Sequence, residues 1–295
     1  MIDNNRKLLK NQAQMWDKLA EIDAELATDG LQHYNPHYSR NNNEYIQTLS
    51  GYFNPTAGKK LLDIGCGWGK TLISCGKEGM ECWGLDISQV MLSKAKEKAE
   101  KDKLKIHLSL GNAAELPYKE NSFNIVWGYA VLMHLPKSKA KETLEEIRRV
   151  LKSDGSAYLH FKNRIHLMSL VAWVISFFRK LLNKPISPIE IRRYHLSEIK
   201  KIVGKYFEQV EILADDFMIF PLRLTFRVSI YSDLFLTGVP KIKPDSLFNL
   251  LPTHLITLVD KFYDFLKRFA NLHFPSLKWF CRDFIVIVSR PRVIK

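Results

Sequence analysis

From Lys59 to Asn163, short runs of apolar residues alternate with segments whose apolar residues recur at helical spacing. Five runs have the length and composition of buried strands: KKLLDIG, ECWGLDIS, KIHLSLGNA, FNIVWGYAV and SAYLHFKN. Three other segments are typical of helices: KTLISCGKEG, SQVMLSKAKEKAEKD with Ser88 as its N-cap, and SKAKETLEEIRRVLKSDG with a glycine stop. Strands separated by helices of this length form βαβ units, so the pattern predicts an α/β fold with a parallel sheet and helices on both faces.

The residues before this alternation, 1–58, are predicted to form a helical cap. Trp16, Leu19 and Leu26 are among the apolar residues that recur at roughly helical spacing within residues 5–27. After a polar loop, a second short helix is predicted around Tyr45–Phe53. The N-terminal residues MIDNNRKLLKNQAQ lack the apolar core of a secretory signal, which favours a cytoplasmic location.

The turn after the first strand, LLDIGCGWGK, contains glycines at positions 65, 67 and 69. In an open α/β sheet, ligands bind beyond the carboxyl ends of the strands. Glycines there let the backbone turn tightly and approach a ligand without Cβ atoms in the way. The dinucleotide fingerprint G-x-G-x-x-G would need glycine at position 70, where Lys70 stands, so a nicotinamide dehydrogenase is disfavoured.

LLDIGCGWGK resembles the first motif of the Rossmann-like S-adenosylmethionine-dependent methyltransferases. Three later stretches resemble that family's following motifs in order and spacing: WGLDIS, LGNAAELPYKENSFNIVW and VLKSDGSAYLHF. The resemblance covers about residues 45–217 plus a final strand, and it is greatest to the small-molecule branch that includes the ubiquinone and menaquinone biosynthesis enzymes. It implies a seven-stranded, mostly parallel sheet in residues 59–217 plus 283–292, with an antiparallel last strand.

The same resemblance implies a set of S-adenosylmethionine-binding positions. They are Asp63, Gly65, Cys66, Gly67, Gly69, Asp86, Ile87, Asn112, Ala113, Gly128 and Tyr129. Asp63 would orient the glycine loop and the amino-acid end of the cofactor, and Asp86 would accept hydrogen bonds from both ribose hydroxyls. Asn112, where the family usually has aspartate, would meet the adenine edge, and Gly128 and Tyr129 would face the sulfonium.

The expected chemistry is a direct displacement of the methyl group, which needs alignment of the acceptor and exclusion of water. A base is needed only where the acceptor is a hydroxyl or a weak carbon acid. His134, just past the fourth strand, and His160, at the end of the fifth, are candidates. Tyr34, with its neighbours His37 and Tyr38, lies in the loop expected to cover the pocket. A structural role for each of these side chains stays open.

Two helical insertions, residues 163–191 and 218–282, follow the fifth and sixth strands and are expected to roof the active site. The first contains an apolar stretch too short and interrupted to span a bilayer. A narrow, mostly polar seam runs along it: His166, Ser169, Trp173, Ser176, Lys180 and Asn183. Both insertions are amphipathic, basic and aromatic, as in elements that lie in a membrane interface. Packing against each other or against a second subunit is the alternative, and the oligomeric state is not predicted.

The formal net charge of +13 is concentrated in residues 160–295, which hold 22 Lys and Arg against 11 Asp and Glu. This favours an anionic partner, either an acidic membrane surface on its inner face or nucleic acid. The stretch WGYAVL lacks an Asn/Asp-Pro-Pro-aromatic motif, which disfavours methylation of base amines, while RNA hydroxyls remain an alternative. A small-molecule or lipid-like acceptor is therefore predicted, and a non-catalytic cofactor-binding protein is the other alternative.

Four cysteines occur without a CxxC pair: Cys66, Cys75, Cys82 and Cys281. Their spacing favours buried thiols in a reducing compartment over disulfides, and no metal site is predicted.

Overall fold

The computed structural model describes residues 11–21, 50–53, 57–165, 191–215, 281 and 283–292. Eight strands of this part form one sheet: β1 (Lys60–Ile64), β2 (Glu81–Asp86), β3 (Ile106–Leu110), β4 (Phe123–Gly128), β5 (Leu151–Asn163), β6 (Arg193–Tyr194), β7 (Phe207–Asp215) and β8 (Asp283–Pro291). Four helices follow the strands: α1 (Lys70–Lys77), α2 (Gln89–Lys101), α3 (Lys137–Val150) and α4 (Leu196–Gly204). A 3₁₀ turn spans Leu132–His134, and residues 11–21 and 50–52 are also helical.

The strand order is β3-β2-β1-β4-β5-β8-β7, and the two-residue β6 pairs with the end of β5. All pairs are parallel except those of β8, which runs antiparallel to β5 and β7. The α/β prediction is therefore confirmed, with β6 as an additional short strand. The order reverses beside β1, because β2 lies on one side of it and β4 on the other. The turns after β1 and β4 consequently meet at the carboxyl edge, where such sheets bind ligands.

Alternating side chains divide the core between the two faces of the sheet. Leu62 and Ile64 of β1 belong to a cluster that includes the apolar residues of α3 and α4. Leu61, on the opposite face, packs with Leu72 and Cys75 of α1. Strands covered on both faces read as continuous apolar runs, which explains the buried LLDI sequence of β1. Two helical layers therefore fix the turns at the carboxyl edge from both sides.

The end of α3 differs from the prediction. The helix was expected to continue to Gly155, but it ends at Val150, and β5 begins at Leu151. The backbone N–H of Ser122 donates to the Val150 carbonyl, and Phe123 then pairs with Leu151. Because this pairing with β4 satisfies backbone groups, it overrides the helical tendency of the sequence. The KSDG residues, 152–155, form an irregularity in β5 between the Phe123–Leu151 and Ile125–Ser156 pairs.

Large parts of the predicted cap and insertions lie outside the described residues. Within the predicted helices 5–27 and 45–53, residues 11–21 and 50–52 are helical. The limits of the cap and of insertions 163–191 and 218–282 stay predictions. Across the ranges that the structure describes, no helix has the length and apolar character needed to cross a membrane.

Candidate functional site

The glycine loop after β1 adopts backbone angles that favour glycine at all three positions. Gly65, Gly67 and Gly69 have φ values of 69°, 52° and 72°. The Gly65 and Cys66 N–H groups donate to the Leu85 carbonyl at 2.7 and 3.1 Å, which ties the loop to β2. A Cβ atom on Gly67 would have no heavy atom within 4 Å, so the loop faces open space there. The loop therefore exposes bare backbone on its outer side, as a ligand cradle requires.

Asp86, the last residue of β2, points back at this loop. Its Oδ2 accepts the Gly67 N–H at 2.8 Å, and its Oδ1 accepts the Ser88 N–H at 2.9 Å. Each carboxylate oxygen has a second lone pair, so the group can still accept two hydroxyl hydrogen bonds. The carboxylate of Asp86 and the glycine loop are therefore in direct contact.

Burial raises the pKa of Asp86, although the N–H groups of Ser88, Gly67 and Ile87 oppose the shift by stabilising the charged form. The negative charge of Asp17, in the helical segment 11–21, raises this pKa further. Ile87 is half-buried directly after Asp86. The carboxylate therefore lies in a partly dry site, where its hydrogen bonds are stronger than in water.

Asp63 lies on β1 beneath the glycine loop. Its side chain is buried and hydrogen-bonded to that of Thr71 at the start of α1. Burial raises the pKa of Asp63 well above its usual range, and the charge of Asp86 adds to the shift. The carboxyl group is thus in a position to fix the loop against α1. Burial likewise raises the pKa of the neighbouring Cys66 thiol, so that side chain lines the loop as a neutral group.

The turn after β3 contains Asn112 and Ala113. The Gly111 N–H donates to the Asp86 carbonyl at 2.9 Å, which brings this turn beside Asp86. The Asn112 Oδ1 accepts the Ala114 N–H at 3.0 Å, and Ala113 is buried. An amide oxygen has two lone pairs, so one remains for the expected adenine amino group. The same bond holds the turn in the shape that exposes this edge.

Two charged residues of α3, Glu146 and Arg149, hold the segment that follows Ala113. The Glu146 carboxylate accepts the Leu116 N–H at 2.7 Å, while Arg149 donates to the Leu116 and Tyr118 carbonyls. Arg149 also donates to both Glu146 oxygens at 2.7 Å. The hydrogen bond from Arg149 lowers the pKa of Glu146. We name this pair the α3 buttress.

Strand β4 ends at Gly128, and Tyr129 follows it next to the glycine loop. A Cβ atom on Gly65 would lie 3.1 Å from Val131, so the loops after β1 and β4 are in close contact. A Cβ atom on Gly128 would lie 3.1 Å from Leu159 of β5. The Tyr129 ring stacks on His160 with a centroid distance of 4.6 Å. Tyr129 therefore lies between the glycine loop and the end of β5.

The two candidate bases occupy different environments. His134 ends the 3₁₀ turn after β4, and its ring meets the Trp16 ring edge-on at 4.9 Å. His160 is 2% exposed on β5, and its Nε2 lies 3.5 Å from Oδ1 of Asp283 on β8. Tyr34, His37 and Tyr38 lie outside the described residues.

The four cysteines are buried and form no disulfide within the described residues, in agreement with the expectation of buried thiols. Among the described residues, no group of three side chains could hold a metal ion.

Part of the chain is similar in sequence to known methyltransferases. A family model described as a methyltransferase domain matches residues 61–155. A demethylmenaquinone methyltransferase of Oceanobacillus iheyensis is 42% identical over 107 residues, which are 35% of this chain and 44% of that protein. An uncharacterized protein of Haemophilus influenzae is 32% identical over 134 residues, 44% of this chain and 53% of the relative.

The fold has a matching solved structure as well. An S-adenosylmethionine-dependent methyltransferase of Archaeoglobus fulgidus aligns with a TM-score of 0.50 at 20% identity, covering 84% of this chain and 92% of that one. Residues 61–155 carry a methyltransferase domain, and the fold is shared with an S-adenosylmethionine-dependent methyltransferase. The chain spans about half the length of the curated relatives named above.

Three residues beside the predicted site of this methyltransferase domain were missed from the sequence. Asp17 accepts hydrogen bonds from the Ser88 hydroxyl and, at 3.3 Å, from the Val90 N–H. Thr71 holds Asp63, and Asp283 lies against His160. The hydroxyl directly after the glycine motif was a local signal for Thr71. Asp17 and Asp283 gave no such signal, because their partners are 71 and more than 100 positions away in the chain.

Proposed function

We propose that this protein transfers the methyl group of S-adenosylmethionine to a small-molecule acceptor bound at the tips of β4 and β5. The observation that carries the proposal is the Asp86 carboxylate, which accepts the Gly67 N–H at 2.8 Å and retains lone pairs toward the open side of the loop. The residue ranges 59–217 and 283–292 would form the catalytic domain, and residues 1–58 a cap over it.

The residues present fit this cofactor. The space outside Gly67 accommodates a ligand against bare backbone, and Asp86 supplies acceptors for two ribose hydroxyls. Asn112 and Ala113 would meet the adenine, and Asp63 would act on the amino-acid end through the loop. Gly65, Cys66, Gly69, Ile87, Gly128 and Tyr129 would complete the cofactor site. When bound, S-adenosylmethionine supplies a methyl group already activated by the sulfonium, so the protein has to align the acceptor and exclude water.

Isothermal titration calorimetry with S-adenosylmethionine tests this proposal. We expect binding by the full chain and a loss of about tenfold or more in affinity for Asp86→Asn, because one charged acceptor of the ribose hydroxyls is removed. Glu97→Gln, an exposed carboxylate change on α2, is the matched control and should bind like the wild type. An absence of binding by the wild-type chain would reject the proposal, and so would an Asp86→Asn variant with unchanged affinity.

For the acceptor, we propose a lipid, a quinone-like molecule or a lipid-linked saccharide taken from a membrane surface. Support comes from the sequence of the insertions, where Arg164, Arg179, Lys180 and Lys184 flank an apolar, aromatic segment. The demethylmenaquinone methyltransferase among the relatives is consistent with a quinone-like acceptor. The location would be cytoplasmic, with peripheral contact to the membrane.

Sedimentation with phosphatidylglycerol vesicles tests the membrane contact. We expect the chain to co-sediment at low salt, and to be released at high salt because screening weakens attraction to anionic lipid. Phosphatidylcholine vesicles are the control for charge. A chain with Arg179, Lys180 and Lys184 all changed to glutamine should sediment less than the wild type. Retention of the wild type in the supernatant at low salt would contradict the membrane proposal and leave the methyltransferase proposal standing.

An RNA acceptor is the competing outcome, favoured by the excess of basic residues in 160–295. Incubation of the chain with methyl-labelled S-adenosylmethionine and fractionated cell extract distinguishes the two. We expect label in the organic-solvent fraction. Label in the nucleic-acid fraction would replace the lipid-like acceptor with RNA.

A further inference from the structure

We propose that Asp283 is a positioning residue for His160, and that the pair accepts the proton of an acceptor that is methylated on a hydroxyl group. This inference rests on the proposed methyltransferase function. It specifies that the acceptor is methylated on a hydroxyl group. It also assigns a role to Asp283, which was predicted from the sequence only to lie within the last strand.

The first argument is the position of His160 beside the tip of β4. Gly128 pairs with Leu159, so Tyr129 and His160 are the next residues along their parallel strands. The two rings stack at 4.6 Å with an angle of 13° between their planes. Neighbouring strands lie about 5 Å apart, which places His160 two strands, or roughly 10 Å, from the glycine loop of β1. The imidazole therefore lies near the edge proposed for the methyl donor, with the Tyr129 ring against one of its faces.

The second argument is the state of the imidazole. His160 is 2% exposed, and neither ring nitrogen forms a hydrogen bond within the described part of the chain. Buried polar groups nearly always have a partner, so a buried and unsatisfied imidazole at this edge points to a group that binds there. Catalytic hydrogen bonds are often long in the free protein and tighten when the substrate is bound.

The third argument is how Asp283 is held. Its Oδ2 accepts a hydrogen bond from the Lys162 ammonium at 2.9 Å, and its Oδ1 lies 2.7 Å from the same ammonium and 3.5 Å from Nε2 of His160. The Cys281 thiol donates to the Asp283 carbonyl, and the Asn163 amide donates to the Cys281 carbonyl at 2.6 Å. The beginning of β8 is therefore fixed to the end of β5, and the carboxylate with it.

The approach of Asp283 to Nε2 favours one tautomer of the neutral ring. A proton on Nε2 would face the Asp283 carboxylate, which leaves the Nδ1 lone pair for the acceptor. The acceptor oxygen attacks the methyl carbon, the carbon–sulfur bond breaks with its electron pair going to sulfur, and the hydroxyl proton moves to Nδ1. The products are a methyl ether, S-adenosylhomocysteine and an imidazolium that Asp283 stabilises.

Three charged groups and one ring surround this pair. The Asp283 carboxylate on β8 faces Nε2, Lys162 on β5 contacts that carboxylate, Arg193 on β6 interacts with it electrostatically, and the Tyr129 ring covers one face of the imidazole. Asp283 is the charged group that faces the imidazole directly, so its removal tests the pair.

Nuclear magnetic resonance of the full chain with 15N-labelled histidine tests the pair, with His160→Gln identifying the signal. We expect the Nε2–H tautomer in the wild type. In Asp283→Asn the preference for this tautomer should be lost, because the carboxylate that faces Nε2 is replaced by an amide. Asp154→Asn, an exposed change in β5, should keep the wild-type tautomer. An Nδ1–H tautomer in the wild type, or an unchanged tautomer in Asp283→Asn, would overturn the proposal.

A second variant keeps the test decisive if Asp283→Asn does not fold. Lys162→Met removes the ammonium that holds the Asp283 carboxylate, so the fraction of the Nε2–H tautomer should fall. An unchanged fraction would overturn the pairing. Calorimetry with S-adenosylmethionine distinguishes failure of this inference from failure of the proposed methyltransferase function. A wild-type chain that does not bind the cofactor rejects the methyltransferase function, whichever tautomer His160 adopts.

Label transfer from S-adenosylmethionine into cell extract tests the chemistry. We expect His160→Gln to lower it at least a hundredfold with unchanged cofactor affinity. A product methylated on an amine, or full transfer by His160→Gln, would overturn the acceptor class.

Discussion

The carboxylate of Asp17 accepts a hydrogen bond from the hydroxyl of Ser88, two residues beyond Asp86. The helical segment 11–21 is thereby fixed to the N-terminus of α2, and its Trp16 ring reaches His134 on the other side of the site. The Gln12 amide also donates to the His134 carbonyl at 3.3 Å. One segment therefore contacts both the ribose side and the β4 side of the proposed pocket.

We expect Asp17→Asn to weaken S-adenosylmethionine binding about tenfold, which corresponds to about 1.4 kcal/mol. The asparagine loses the charged acceptor of the Ser88 and Val90 bonds, so the segment no longer closes firmly over the cofactor. Calorimetry of Asp17→Asn measures the change. Glu21→Gln, which removes an exposed carboxylate from the same helix, is the matched control. Equal affinity in both variants would show that the segment does not contribute to binding.

Ser88 allows a sharper test, because it also caps α2 by accepting the Met91 N–H at 3.1 Å. Ser88→Ala should lower the free energy of unfolding by about 1 kcal/mol through the lost cap. In a double-mutant cycle with Asp17→Asn, the two affinity losses should be less than additive, since either change removes the same bond. Strict additivity would indicate that the two side chains act independently in solution.

The raised pKa of Asp63 predicts how the stability of the protein depends on pH. A carboxyl group whose pKa is raised by folding binds its proton more tightly in the folded state than in the unfolded one. The protein therefore loses stability as pH rises from the unfolded value of about 4 through the folded pKa. Asp63→Asn cannot ionise and retains an oxygen for Thr71. It should thus be more stable than the wild type by about 1–3 kcal/mol near pH 8.

Urea unfolding of Asp63→Asn at several pH values measures this effect, and the advantage should disappear toward about pH 4. Asp154→Asn, an exposed carboxylate, should show no such trend. A constant difference across the pH range would mean that Asp63 does not change its protonation on folding.

The parts of the site that were predictable from sequence are those made by short stretches of chain. The glycine loop and the Ser88 cap follow from local residue types, and Asp86 follows from its place at the end of a strand. The end of α3 was wrong because strand pairing at Leu151 outweighed a helical sequence pattern. Local propensity is a weak guide wherever tertiary contacts satisfy the backbone.

Residues that join distant parts of the chain could not be found in this way. Asp17 is one carboxylate in an amphipathic helix, and nothing near it indicates Ser88. Asp283 meets His160 only because β8 inserts antiparallel between β5 and β7. The pairing register, rather than the residue types, determines that contact. The resemblance to a family supplied the cofactor positions, but it contained no information on either carboxylate.

Two glycines near the site should separate binding from stability. A Cβ atom on Gly84 would lie 2.5 Å from Leu72 and 2.8 Å from Cys66, so Gly84→Ala overpacks the core and should cost about 1–3 kcal/mol of stability. A Cβ atom on Gly67 meets nothing within 4 Å, so Gly67→Ala costs only the left-handed backbone conformation, about 1 kcal/mol. Its methyl group would enter the space proposed for the cofactor.

Thermal unfolding and calorimetry together measure both effects of the glycine changes. Gly67→Ala should lose at least tenfold in S-adenosylmethionine affinity, because the added methyl group removes the close approach to bare backbone. Binding by Gly84→Ala, measured well below its unfolding temperature, should change less. Wild-type affinity in Gly67→Ala would place the cofactor elsewhere on the loop.

The α3 buttress should make stability depend on pH in the direction opposite to Asp63. Its hydrogen bond from Arg149 lowers the pKa of Glu146, so the pair contributes stability above the unfolded pKa of about 4.3 and loses it as pH falls through the folded value. Glu146→Gln should therefore be less stable than the wild type by about 1–2 kcal/mol at neutral pH, a modest figure because both side chains are partly exposed.

The penalty of Glu146→Gln should shrink as the wild-type carboxylate is protonated in acid, which urea unfolding at a series of pH values measures. Glu145→Gln, its exposed neighbour on α3, should match the wild type throughout. Because Glu146 holds the Leu116 N–H beside the expected adenine position, its loss should also weaken cofactor binding. A penalty that persists unchanged in acid would assign the effect of the substitution to altered packing rather than to the charge of the buttress.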